Sequence, residues 1–133
     1  MVVLLVVLVT AKSDPFLNIL LFVRDGIYIT IFITISAFVL ILVLGLVGAL
    51  GRLSRNPILY GISTLYVELV RGIPLLVQLV WWYFAFPVVL QYIGRWLDIA
   101  ALANYRSNAI FTAIIGLVIC YGAYMAEIYR AGI

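Results

Sequence analysis

The sequence predicts an all-α integral membrane protein with about three spanning helices and short interfacial helices, on three observations. First, 68% of its 133 residues are hydrophobic, only 10% are charged, and the mean hydropathy is +1.30. A soluble fold this apolar could not cover its surface with polar groups. Second, three long runs carry no charge: Gly26 to Leu50, Ile73 to Gly94 and Ala109 to Ala126. A span takes roughly 20 residues, and the third run qualifies with Asn108 and Glu127 at its two interfaces. Third, these runs lack the alternation of barrel strands, and only helices or closed barrels satisfy the backbone inside a bilayer. Other classes recede. The net charge of +3 comes from scattered arginines, so no nucleic acid is implied. Cys120 is the single cysteine and there is no histidine, which removes the commonest metal ligand and general base. No cofactor is implied.

Taken in order, Met1 to Val9 is apolar but too short to span, and Lys12-Ser13-Asp14-Pro15 ends it. It lacks the basic start and cleavage site of a signal peptide. Phe16 to Val23 is a second apolar piece, closed by Arg24-Asp25. Joined to the next run it would exceed the thickness of a bilayer. Arg24 and Asp25 are therefore placed at a membrane surface with Phe16 to Val23 lying along it. Residues 1–25 form an N-terminal interfacial segment, and residues 26–133 the transmembrane domain. Within Gly26 to Leu50, Thr30 and Thr34 share a face, as do Gly45 and Ala49, and small residues four apart let another helix approach closely.

Ser54-Arg55-Asn56-Pro57 reads as a helix start, with Asn56 as cap and Pro57 at the first helical position. The helix runs to about Val70, about 20 Å and too short to cross. Gly61, Thr64, Glu68 and Arg71 line one face, expected to meet protein or water, with Leu59, Ile62, Tyr66 and Leu69 facing elsewhere. The stretch ELVRGIPLLVQL, Glu68 to Leu79, then encodes a stop, a turn and a restart. Gly72 suits a left-handed residue past the helix end, and Arg71 complements the helix dipole. Pro74 holds Ile73 extended and opens the next helix. Such breaks are tolerated where they line a cavity or pack in protein. The alternative is a plain surface loop, with Glu68 and Arg71 merely paired at i,i+3. Gln78 either bonds a neighbouring helix or touches a polar substrate, and with Thr64 it is a candidate for a translocation path.

Trp81, Trp82, Tyr92 and Trp96 suit an aromatic belt. Gln91 to Ser107 is the one extended polar connection, with a short interfacial helix expected around Arg95 to Asp98. In the last run Ala113, Gly116, Cys120, Ala123 and Glu127 form a stripe of small side chains ending in a carboxylate. The stripe predicts a tight helix neighbour or the wall of a narrow path. Glu127 has Arg130 at i+3, and Gly132 would end the helix. Three crossings put Arg52, Arg55, Arg71 and Arg130 on one side, with Lys12, Arg24, Arg95 and Arg106 on the other. The Arg52/Arg55 pair is the densest cluster and leans towards a cytoplasmic side.

Four pieces resemble the permease subunit of bacterial ABC importers for polar amino acids, the histidine/glutamine/arginine-type family. They are GIYITIFITISAF (Gly26 to Phe38), LGRLSRN (Leu50 to Asn56), LYVELVRGIPLLVQLVWWYF (Leu65 to Phe84) and YGAYMAEIYRAGI (Tyr121 to Ile133). The resemblance implies part of a type I ABC importer permease fold in the bacterial inner membrane. It implies partners as well: ATP-binding cassette ATPase subunits, an extracytoplasmic substrate-binding protein and a second permease subunit, like or related. It makes Glu68, Arg71, Gly72 and Pro74 signature residues near the cytoplasmic side. Glu127, Arg130 and Gly132 become the lead-in to a cytoplasmic coupling loop. The family continues with a Glu-Ala-Ala loop and further spans, so the expectation is a permease cut at its C-terminus. ATP hydrolysis is expected in a partner subunit. The alternative function is a membrane anchor or assembly subunit, which would need only the packing faces. An embedded enzyme lacks an activated nucleophile or a metal-ligand cluster.

Overall fold

The computed structural model describes residues 14–132, so the readings of Met1 to Val9 and of Lys12-Ser13 lie outside the described residues. Two compact units divide between Phe32 and Ile33. The boundary falls inside the first helix, α1 (Asp14–Leu53, 40 residues).

In the first unit the helix runs on through Arg24 and Asp25, so no secondary-structure break marks the surface position that charge suggested. The physical reason is local. No proline stands between Phe16 and Leu53. The Arg24 guanidinium donates to Asp25 Oδ1 at 3.1 Å with both side chains exposed, and Thr30 Oγ1 donates to the Gly26 carbonyl at 2.8 Å.

The second unit holds the rest of α1, then α2 (Pro57–Arg71), α3 (Leu75–Val80), a π-helical turn (Trp81–Ala85), α4 (Phe86–Trp96), α5 (Ala100–Ala103) and α6 (Ala109–Gly132). Asn56 caps α2, its Oδ1 accepting from Ile58 N at 2.9 Å, and Pro57 opens the helix. At the other end Gly72 is right-handed, with φ −75° and ψ −14°. The expected left-handed glycine is thus corrected. Gly72 simply extends the turn, its N–H donating to the Glu68 carbonyl at 3.1 Å. The break comes from Pro74, at φ −56° and ψ 140°, which has no N–H to continue the ladder. Pro74 itself precedes the first helical residue of α3 and accepts from Gln78 N at 3.2 Å.

The long run after the break is not uniformly α-helical. Pro87 cannot donate to the Tyr83 carbonyl, and its ring crowds that turn. The helix widens over Trp81–Ala85, where Phe86 N donates to the Trp81 carbonyl, a π-bulge of the usual kind. Ser107 Oγ supplies the missing donor to Tyr83 O at 3.2 Å. The short helix expected around Arg95 to Asp98 is also displaced. Those residues close α4 and turn, with Asp98 at φ 55°, and the short helix is α5. It folds back on α4 at Gly94, where an added Cβ would meet Leu102 Cβ at 2.7 Å. Gln91 Nε2 holds the same loop through Tyr105 O at 2.9 Å. Asn108 then caps α6, accepting from Ile110 N and Phe111 N.

The core gathers on α6. Val67 and Val70 of α2 pack against Ala123 and Ala126, with Tyr66 and Ile119 alongside. The small-residue faces meet close neighbours, as their spacing predicts. A Cβ on Gly45 would lie 2.6 Å from Met125 Cβ, and one on Gly116 would lie 2.6 Å from Leu79 Cδ2. Ala49 and Cys120 are buried beside them. The outward faces stay apolar, with Ile58, Ile62, Leu65 and Leu69 of α2 and Leu76 and Val80 of α3 exposed. Among the described residues, three helical stretches are long and apolar enough to cross a membrane: Ile19–Leu53, Leu75–Trp96 and Ala109–Gly132.

Candidate functional site

The end of α2 at the break sits against the C-terminal half of α6, and two polar assemblies hold the break in place. The first is centred on Gln78, only 7% exposed. Its Nε2 donates to the Val70 and Ile73 carbonyls, each at 2.8 Å. One carboxamide therefore joins the end of α2 to the turn. Eight positions of unbroken helix would place residue 78 about 12 Å beyond residue 70, farther than a glutamine reaches. The contact itself requires the chain to bend.

The second assembly is centred on Glu127. Arg52 Nη1 at the end of α1 pairs with its Oε1. Arg71 Nη1 lies 3.3 Å from the same oxygen, and Arg130 Nε lies 3.1 Å from Oε2. Arg71 also stands over the Tyr124 ring, 5.3 Å from its centroid, a cation–π distance. Three guanidiniums share one carboxylate, leaving the group two charges positive (3 − 1). The Arg52 side chain is 11% exposed and Glu127 22%, against 42% for Arg71 and 46% for Arg130. The ends of α1, α2 and α6 are thereby drawn to one point. A third tie lies deeper, where Tyr66 OH donates to the Ile119 carbonyl at 2.7 Å. Burial pushes the Tyr66 phenol up to about 12, so it remains a donor at all ordinary pH.

The expected polar face of α2 is only partly realised. Gly61 and Glu68 are exposed, and among the described residues Glu68 forms no ion pair, so the i,i+3 pairing with Arg71 is absent. Thr64 is half-buried, and its Oγ1 has no hydrogen-bond partner. The inward face is Ser63, Tyr66, Val67 and Val70. Tyr66, expected to face elsewhere, points in. The reason is that α6 offers Gly122 and Ala123 at the contact, and burying valines there outweighs burying a carboxylate. Arg71 reaches the cluster from the flank by its long stem. Gly132 lies exposed at the end of α6, after Glu127 and Arg130 on the same helix.

Sequence reasoning missed Arg52, Tyr66 and the Pro87–Ser107 pair. A signal for Arg52 was present, since it shares one side with three other arginines and Glu127 is one of the few acids there. A signal for the bulge was Pro87 in the middle of an expected span. Nothing local points to the Tyr66 bond, which joins residues 53 positions apart.

No family model and no solved structure matches the chain. Curated relatives do. The arginine transport system permease protein ArgU of Corynebacterium glutamicum is 39% identical over 104 residues, 78% of this chain and 33% of the relative. The probable amino-acid ABC transporter permease protein y4tF of Sinorhizobium fredii is 35% identical over 108 residues, 81% of this chain and 42% of the relative. The L-cystine transport system permease protein TcyB of Bacillus subtilis is 35% identical over 108 residues, covering 81% and 40%. The chain thus spans roughly two fifths or less of these curated relatives. A stretch of 104 residues in a chain of 133 must contain the break at residues 72–74. With three helices able to span and relatives of this kind, the chain is a multi-pass membrane protein homologous to the permease subunits of amino-acid ABC importers.

Proposed function

We propose that the chain forms part of the translocation path of an ATP-driven, binding-protein-dependent importer for polar amino acids in the bacterial inner membrane. The observation that carries this reading is the helix break at Gly72–Pro74, held by buried Gln78 inside the stretch aligned with amino-acid permeases. A membrane anchor would need packing faces alone and gives no reason to interrupt a helix beside a charge cluster. In this reading Glu68, Arg71, Gly72 and Pro74 form the signature at the break. Thr64, with its unpartnered buried hydroxyl, borders the path. Glu127, Arg130 and Gly132 lead towards the contact with the ATPase subunits, which carry out the hydrolysis. A substrate-binding protein delivers the amino acid on the far side, and a second permease subunit completes the path within the bilayer.

The test is uptake of a panel of radiolabelled amino acids into proteoliposomes holding the protein with its ATPase and binding protein. ATP-dependent uptake of one or a few polar amino acids is expected. Arg71→Ala should lower it at least tenfold, since that arginine ties the break to α6, whereas exposed Tyr92→Ala should leave it within twofold. No ATP-dependent uptake of any member of the panel, or equal uptake by both variants, would overturn the reading.

A further inference from the structure

We propose that Gln78 is a positioning residue for the helix break, standing in for the backbone donor that Pro74 withholds, and that it makes no contact with the transported molecule. The part concerning transport rests on the function proposed above. The positioning role rests on geometry alone.

In an unbroken helix the Val70 carbonyl would accept from the N–H of residue 74. Residue 74 is proline and has none. The backbone offers Val70 O only a long bond from Ile73 N, at 3.4 Å. Gln78 Nε2 fills the position at 2.8 Å and bonds the Ile73 carbonyl at the same distance. A carboxamide nitrogen carries two hydrogens, and both are committed here. Only the NH₂ end can donate to two carbonyls, so the network fixes which way the amide points. No N–H of Gln78 remains for a ligand. The cavity of about 250 Å³ beside it is otherwise lined by apolar side chains and indoles, including Leu69, Val77, Trp81 and Ile119. Such a lining offers little to a charged amino acid. Gln78 therefore sets the angle at which α2 meets α3.

Cys120 gives the experiment a built-in reporter. It is the sole cysteine, is 2% exposed, and lies on α6, the helix against which α3 packs. Its rate of maleimide labelling reads the opening of the knot. Gln78→Leu removes the donor from the buried Val70 carbonyl and the part-buried Ile73 carbonyl and should raise that rate on the order of tenfold or more. Adding Pro74→Ala restores an N–H for Val70 and should bring the rate back to within about threefold of the parent. Gln78→Asn keeps the amide but falls one methylene short, so it should behave like Gln78→Leu and serves if the leucine variant does not fold. In transport, Gln78→Leu should lower the maximal uptake rate about tenfold and leave KM within about twofold.

An unchanged labelling rate in both Gln78 variants, or no rescue by Pro74→Ala, would overturn the positioning role. A tenfold rise in KM with unchanged labelling would make Gln78 a substrate contact instead. If the parent protein shows no uptake at all, the proposed function fails, and the labelling arm still decides the positioning role.

Discussion

Replacing Glu127 with glutamine is expected to cost the folded protein about 3 kcal/mol, the lower end of the range for removing one partner of a buried ion pair, because this pair is only part-buried. The variant keeps the shape of the side chain and removes the one negative charge shared by Arg52, Arg71 and Arg130. Arg52 decides the size of the effect. Its side chain is almost buried, and its Nε already lacks a hydrogen-bond partner. Without the carboxylate it would hold an unpaired charge among two others of the same sign. Arg130→Gln removes only a half-exposed partner one turn away and should cost less than about 1 kcal/mol. Thermal unfolding of the purified protein in one fixed detergent compares the two. Equal losses would show that the carboxylate is not the centre of the cluster.

Gly45→Val carries an expected effect of the same size, a loss of about 3 kcal/mol, the upper end of the usual cost of overpacking. An added Cβ would lie 2.6 Å from Met125 Cβ and 3.2 Å from the Met125 carbonyl carbon. Neither atom can swing aside, so α1 and α6 must separate along the contact that also positions Arg52 against Glu127. Gly61 is the control. A Cβ there meets nothing within 4 Å, and Gly61→Ala should gain up to about 1 kcal/mol from helix propensity. Unfolding midpoints for the two glycine variants should therefore move in opposite directions.

Much of this arrangement was legible in the sequence because its causes are local. Asn56 and Pro57 start a helix wherever they stand, and Pro74 ends one by withholding a donor. The small residues of Gly45/Ala49 and Ala113/Gly116/Cys120 announce close neighbours by spacing alone. The features that were not legible depend on partners far along the chain. Gln78 was recognised as a buried amide in need of a bond, but its partners are the carbonyls that Pro74 left open, and only the bend brings them within reach. The Arg52–Glu127 pair joins residues 75 positions apart, which no periodicity reveals. Gly72 was misjudged because its residue type allows a left-handed turn without requiring one. The polar face of α2 was misjudged because α6 presents small apolar residues to it, so Val67 and Val70 win the inward positions over Glu68.

The measurement closest to the central claim is the distance between spin labels at residues 62 and 84, both exposed, with Cys120 replaced by serine. A continuous helix of 22 steps (84 − 62) would separate them by about 33 Å. A chain that stops at Arg71, turns through Pro74 and restarts at Leu75 must give a single, clearly shorter distance. A distribution centred near 33 Å would mean one rod through the break, and the assemblies around Gln78 and Glu127 could not both exist.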